Sequence, residues 1–150
     1  MKEKNRGKIL AVCLSEKKGT VKKEIRKGII IEDFGLESDA HAGKWHRQIS
    51  ILEVGSIDRM KKKGFEIKYG DFAENLIIEG ITLHQLSVGT KLKIGENILL
   101  EVTQIGKECH NYCEIKKKIG DCIMPREGIF ARVLRGGKVE AGDNIEVLEK

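Results

Sequence analysis

At 150 residues, 40% hydrophobic and 34% charged, the chain is long enough to bury one core and too short for two independent ones. Its net charge of +5 rests on lysine clusters at 17–28, 60–64 and 115–120, a pattern that reads as solvated faces. With 5% aromatic residues and no recognised module beside those clusters, nucleic acid is not an expected partner, whereas a small anionic ligand suits the positive excess.

Near the N-terminus only six successive residues, Ile9 to Leu14, are apolar, too few for a signal-peptide core or a membrane span. A cytoplasmic protein with no membrane partner is expected. In a reducing compartment its four cysteines are expected to be free, catalytic or metal-bound rather than paired in disulfides.

The first strand is expected in "KILAVCLSE" (8–16), whose unbroken aliphatic run suits burial on both faces, with Cys13 filling core space as a small apolar thiol. A second, "KGIIIEDFG" (27–35), runs into the glycine-bearing loop "FGLESDAHAGKWHR" (34–47). That loop gathers His41, Lys44, His46 and Arg47, donors suited to clamping a phosphate or orienting an oxyanion. His41 and Arg47 lead among them, and Trp45 reads equally as a lid or a core anchor.

In "ILEVGSIDRMKKKG" (51–64), Leu52, Ile57 and Met60 recur at nearly helical intervals, with Ser50 as N-cap and Gly64 as stop. "ENLIIEG" (74–80), "KLKIG" (91–95), "NILLEVTQIGK" (97–107), "IFARVLRGG" (129–137) and "NIEVLEK" (144–150) read as strands, and Gly136-Gly137 as a tight turn. Many short strands with few helices predict a mainly β fold, a closed barrel or a related compact β architecture.

In "GDFAENL", Asp71 and Glu74 stand three apart in a turning segment and are not expected to face each other as an acid and base pair. Asn75 is better suited to a pocket, because an amide both donates and accepts. For Arg132 in "IFARVL", alternation sets Phe130, Arg132 and Leu134 on one face. Inside a barrel that arginine demands an anionic partner; outside, it is ordinary.

Three of the cysteines fall within 106–134. Cys109 and Cys113, with His110 between them, have soft-ligand chemistry, and adding Cys122 formally supplies enough donors for tetrahedral zinc; inert packing is the alternative. Cys122 follows Gly120 and Asp121 and is close in sequence to Arg126 and Arg132. A thiolate near cations is the better nucleophile and metal ligand.

"GDFAENLIIEGITLHQLSVGTKLKIG" (70–95), "GKECHNYCEI" (106–115) and "GDCIMPREGIFARVLRGGKVEAGD" (120–143), together with "ESDAHAGKWHRQISIL" (37–52), resemble a stand-alone bacterial MOSC domain. This is the module named after the C-terminal part of molybdenum cofactor sulfurases. The resemblance covers nearly the whole chain and implies one MOSC domain over 1–150, built on a β-barrel. It also implies a pocket for the pyranopterin molybdenum cofactor or a related sulfur-bearing ligand. Cys122 takes the place of the family's characteristic cysteine, a molybdenum ligand in amidoxime-reducing relatives and a proposed sulfur-holding residue in sulfurases. Asn75 matches a pocket asparagine of the larger relatives, whose nearby arginine corresponds to Ala73 here.

The expectation is therefore a protein that binds molybdenum cofactor or carries activated sulfur, with Cys122 as metal ligand or persulfide site. His41, Lys44, Arg47, Asn75 and Arg132 are the expected cofactor-binding residues. A sulfur donor or acceptor protein is the expected partner, and sulfur transfer or molybdenum-dependent oxidoreduction the reaction class. Reduction of N-hydroxylated substrates is an alternative and needs an external electron donor, because the chain shows no flavin, haem or iron-sulfur motif. A non-enzymatic zinc module using Cys109 and Cys113 is another. Pyridoxal phosphate is not expected, since that chemistry belongs to a separate desulfurase domain.

Overall fold

The computed structural model describes residues 5–18, 20–106 and 127–148. The strands are β1 (Arg6–Leu14), β2 (Lys23–Ile25), β3 (Lys27–Ile31), β4 (Gly35–Leu36), β5 (Ile49–Glu53), β6 (Leu76–Glu79), β7 (Lys91–Ile94), β8 (Ile98–Ile105), β9 (Ile129–Arg135), β10 (Gly137–Glu140) and β11 (Asn144–Leu148). One α-helix, α1 (Val54–Lys62), and a 3-10 turn at Leu83–Gln85 complete the regular elements described. No described helix is long and apolar enough to cross a membrane.

Seven strands close on themselves in the order β11-β7-β8-β9-β5-β6-β1, with β1 returning to β11, so the expected barrel is the observed fold. Closure removes the unpaired edge that an open sheet would carry. Every pairing in the ring is antiparallel except β5 with β6, which run parallel. β10, β3 and β4 form a smaller sheet beside the ring.

β1 is buried on both faces, as its aliphatic run predicts. Ile9 and Val12 join the larger apolar cluster, shared with Ile49, Ile51, Leu76 and Ile78. Ala11 and Cys13 join a second cluster with Leu52, Ile57, Met60, Phe72, Ile77 and Phe130, against which α1 packs. Ile9 and Val12 are three apart yet share a face, because the pairing with β6 shifts register between Ile9 and Ala11. Burial pushes the Cys13 thiol well above the usual range, reinforced by the nearby Glu74 carboxyl, and leaves it as core filling.

Two sequence expectations are corrected. The helix begins at Val54 with Glu53 as its N-cap, because Ile49–Glu53 form a central strand and Ser50 lies within it. Gly136-Gly137 is no hairpin turn: the chain passes there from the barrel to the small sheet. A Cβ at Gly136 would lie 2.2 Å from the Ile30 carbonyl oxygen, so what the position needs is the missing side chain.

The segment 70–75 leads into β6 and is bound from within. Glu74 is fully buried and accepts hydrogen bonds from the Gly70 and Phe72 amides at 3.1 and 3.0 Å. Gly70 has φ +94, and its carbonyl accepts from Lys22 N at 2.8 Å. A Cβ on Gly70 would sit 2.1 Å from the Lys22 carbonyl oxygen.

Gly70→Ala is expected to cost about 2–4 kcal/mol, from the left-handed backbone and the backbone clash together. At this chain length that is a fall of roughly 5–15 °C in thermal midpoint, read by calorimetry; an unchanged midpoint would refute the tight approach to Lys22. Glu74 gives a pH signature. Burial pushes its carboxyl from 4.5 up to about 7, against the pull of the amides it accepts from. The folded state then holds this proton more tightly than the unfolded chain, so its contribution to stability is full below pH 4.5 and is lost as the pH rises through about 7. In Glu74→Gln the thermal midpoint, wherever it starts, should change less between pH 4.5 and pH 8 than in the wild type.

Candidate functional site

A cavity of about 60 Å³ lies where the loop preceding β5 meets the segment preceding β6. It is lined by His41, Trp45, Arg47, Ser50, Phe72, Ala73 and Phe130. Ser50 and Phe130 reach it from neighbouring strands, paired directly across β5 and β9. Ala73 holds φ +65, a backbone turn that brings Phe72 and Ala73 to the cavity wall.

Arg47 is the Lys or Arg side chain among the described cavity walls. Its guanidinium lies 5.1 Å from the Phe130 ring centre and 5.9 Å from that of Trp45, so two aromatic faces flank it. Nε donates to Gln104 Oε1 at 3.0 Å, which fixes the side chain against β8. The two terminal nitrogens have no hydrogen-bond partner among the described residues, so the donors suited to a bidentate anion contact are those left over. Trp45 is 39% exposed and sits at the rim, its indole donating to the His41 carbonyl at 2.7 Å.

His41 is held from beneath. Lys22 Nζ lies 2.9 Å from His41 Nδ1, 2.7 Å from Asp39 Oδ1 and 3.3 Å from Ser15 Oγ. The side chains of Lys22 and Asp39 are both wholly buried. Burial lowers the Lys22 pKa, and the Asp39 carboxylate pulls it back up. Asp39 is satisfied further by the amides of Ser15 at 3.0 Å and His41 at 3.3 Å. Lys22 departs from the reading of 17–28 as a solvated lysine face, while Lys17, Lys18, Lys23 and Lys27 are exposed as expected. No local sequence pattern around Lys22 marks a buried ion pair, since its partner Asp39 is 17 positions away.

Asn75 lies behind the cavity and does not line it. Oδ1 accepts from Ser50 N at 2.9 Å, and Nδ2 donates to the Cys13 carbonyl at 3.1 Å. Its backbone N donates to Ser50 Oγ at 3.0 Å and its carbonyl accepts from Cys13 N at 2.7 Å. The residue is fully buried and ties β5, β6 and β1 together behind Ser50.

Lys44 is exposed and does not line the cavity. His46, also exposed, has Nε2 3.0 Å from Gln104 Oε1. Arg132 points outward, its side chain 51% exposed, and pairs with Glu101 on β8 at 3.0 Å. A strand face turned to water gives the ordinary reading of that arginine. Cys109, Cys113 and Cys122, with His110 and Arg126, lie outside the described residues. Among the described residues, no group of three or more His, Cys, Asp or Glu is arranged to hold a metal ion. Of the cavity's other walls, Ser50, Phe72 and Phe130 were not marked by the sequence, since each also reads as an ordinary strand or core residue.

The described chain leaves β8 at Gly106 and resumes at Glu127, and both flanks are anchored. Gly106 N donates to the Gly128 carbonyl at 2.6 Å. The Glu127 carboxylate accepts from Ser56 Oγ and is paired with Arg59, both on α1. These flanks adjoin Gln104 and Phe130, which hold and flank Arg47.

No curated protein matches the sequence. The YuaD protein from Bacillus subtilis has a solved structure with a TM-score of 0.79 at 20% identity, covering 97% of each chain. YiiM from Geobacillus stearothermophilus gives a TM-score of 0.72 at 19% identity over 95% of this chain and 75% of that one. YiiM from Escherichia coli gives 0.63 at 17% identity over 95% and 70%. Identities this low speak to the fold. The family is shown by the sequence itself, for the MOSC domain model matches residues 38–146. The chain therefore belongs to the MOSC domain family, which is associated with molybdenum cofactor binding.

Proposed function

We propose that this protein binds the molybdenum cofactor, or a related sulfur-bearing ligand, by its anionic part in the Arg47 cavity, with Cys122 as metal ligand or persulfide site. The observation that carries the reading is the state of Arg47. A guanidinium held between two aromatic rings and fixed through Nε keeps its remaining donors for a ligand, in a cavity with His41 on its wall. Oxygen anions, phosphate among them, are what such a fork matches.

The donor set fits the anionic end of the cofactor. About 60 Å³ is room for an oxyanion group and falls below the several hundred Å³ of a whole-ligand pocket, so the described walls suit one end of a pterin cofactor. Ala73, which by the family resemblance corresponds to an arginine of the larger relatives, lines the cavity, which leaves Arg47 as the clamp's cation among the described walls. When bound, the cofactor would supply the metal centre for oxygen-atom or sulfur chemistry.

The protein's own part is to hold and to exclude. Arg47 and His41 bind the anion, and Trp45, Phe72 and Phe130 keep water from it. Cys122 stands six residues before Gly128 in the sequence, on the segment whose flanks are pinned beside Gln104 and Phe130. A soft thiolate there suits either molybdenum or a sulfane sulfur. Sulfur carriage by the same thiol, with a donor or acceptor protein as partner, belongs to this proposal.

The test is metal and pterin analysis of protein from a molybdate-fed host that makes the cofactor. The wild type should carry both; Cys122→Ala should lose metal while retaining pterin. Arg47→Ala should weaken cofactor binding about tenfold or more, the size of a lost charge-assisted hydrogen bond. A wild type empty of both, from cells that load a known cofactor protein, would sink the resident-cofactor reading.

A further inference from the structure

Ser50 stands on β5 directly opposite Phe130 on β9, and residues paired in this way carry their side chains on one face of the sheet. The Phe130 ring flanks Arg47, so the Ser50 side chain is presented on the cavity side, and Ser50 lines the cavity. Its hydroxyl has one proton and two acceptors within reach, the Ala73 carbonyl and Asn75 Oδ1, each at 3.1 Å. Both distances exceed the about 2.7–2.8 Å of a well-formed O–H···O bond, so neither acceptor holds that proton tightly.

What the hydroxyl does for Asn75 is done twice. Asn75 N donates to Ser50 Oγ at 3.0 Å and also to the Ser50 carbonyl at 2.9 Å. Asn75 Oδ1 accepts from the hydroxyl and also from Ser50 N at 2.9 Å. Without the hydroxyl, the backbone of Ser50 still grips both atoms of Asn75, with one bond donated and one accepted. Of the hydroxyl's partners, the Ala73 carbonyl alone has no such bond to the Ser50 backbone. Ala73 is a half-buried residue of the cavity wall, where water can take the hydroxyl's place.

We infer that Ser50 is a ligand-binding residue: its hydroxyl turns its proton away from the Ala73 carbonyl and donates it to an oxygen of the anion that Arg47 holds. This rests on the anion-binding reading above, whereas the redundancy of the hydroxyl in the fold does not. Rotation about the Cβ–Oγ bond is the whole movement, since β5 is paired on both sides and Asn75 fixes the Ser50 backbone. The second donor also sets a class of ligand. A carboxylate places both its oxygens on a guanidinium fork, whereas a tetrahedral oxyanion keeps further oxygens for another donor. Arg47 and Ser50 together therefore favour phosphate-like groups over carboxylates.

The test titrates the full, ligand-free chain with inorganic phosphate and, separately, with acetate, following the fluorescence of Trp45 at the cavity rim, the chain's one tryptophan. Wild type, Ser50→Ala and Arg47→Ala are compared. Ser50→Ala should bind phosphate about tenfold or more weakly than the wild type, the size of a lost hydrogen bond to a charged group, with little change for acetate. Its ligand-free thermal midpoint should stay within about 5 °C of the wild type, roughly one ordinary hydrogen bond at this chain length. Unchanged phosphate affinity in Ser50→Ala, with phosphate lost in Arg47→Ala, would overturn the inference and leave the anion-binding reading standing. A larger fall in midpoint, or a variant that does not fold, would also overturn it, because the hydroxyl would then be structural. An equal loss for acetate would overturn the preference for tetrahedral ligands. Phosphate bound equally by the wild type and Arg47→Ala, or by neither, strikes the anion-binding reading and this inference with it.

Discussion

The parallel pairing of β5 with β6 is the constraint on which the site depends. In an otherwise antiparallel ring, two neighbouring strands that run the same way must both be entered from one end of the barrel. The loop bearing His41, Trp45 and Arg47 enters β5, and the segment bearing Phe72 and Ala73 enters β6. The pairing of Ile51 with Leu76 brings those entrances side by side. α1 lies on the crossover such a connection requires, and its Ile57 and Met60 cover the outer face of the same strands. Asn75 then ties the junction across three strands with side-chain and backbone bonds, so a wall residue such as Ser50 has little freedom to shift.

A second constraint is electrostatic, and it works against stability taken alone. Removing Lys22 and Asp39 from water costs several kcal/mol per ion before their attraction is counted, and an apolar pair of similar volume often serves a core as well or better. The fold nonetheless surrounds this pair with Ser15, His41 and two backbone amides until its bonding capacity is filled. Such saturation makes geometry specific: a network in which every donor has one acceptor has one arrangement. The same logic governs Glu74, whose burial is partly offset by two amides of its own loop, which are thereby held in the turn that exposes Ala73 to the cavity.

The barrel was legible because its strands follow the hydrophobic pattern: "LAVCL" is buried on both faces, and "NILLEV" and "IFARVL" alternate closely enough to be read as strands. What escaped was decided by distant partners. Ser50 looks like an N-cap because Leu52, Ile57 and Met60 are spaced as on a helix, yet Leu52 belongs to a strand selected by pairing with β6 and β9. Lys22 looks like one more solvated lysine because nothing within seven residues on its C-terminal side announces Asp39, 17 positions away. Arg132 turned outward because its cross-strand neighbour is Glu101, a pairing with a 31-residue separation. His41 and Arg47 were marked by the clustering of donors on their loop, which carries no information on how either is held.

The location of the cavity bears on what the domain can discriminate. It lies outside the barrel interior, whose aliphatic side chains fill it, and against the second apolar cluster through Phe72 and Phe130. Those rings give Arg47 a low-dielectric surround in which a charge-assisted bond to an anion is stronger than in water. On the proposed anion-binding reading, a guanidinium kept in place by stacking and by Gln104 would lose little conformational entropy on binding, so its selectivity would come from preorganisation rather than from added charge. One rigid cation would then distinguish ligands by the geometry of their oxygens, where a pair of flexible cations would respond mainly to their charge.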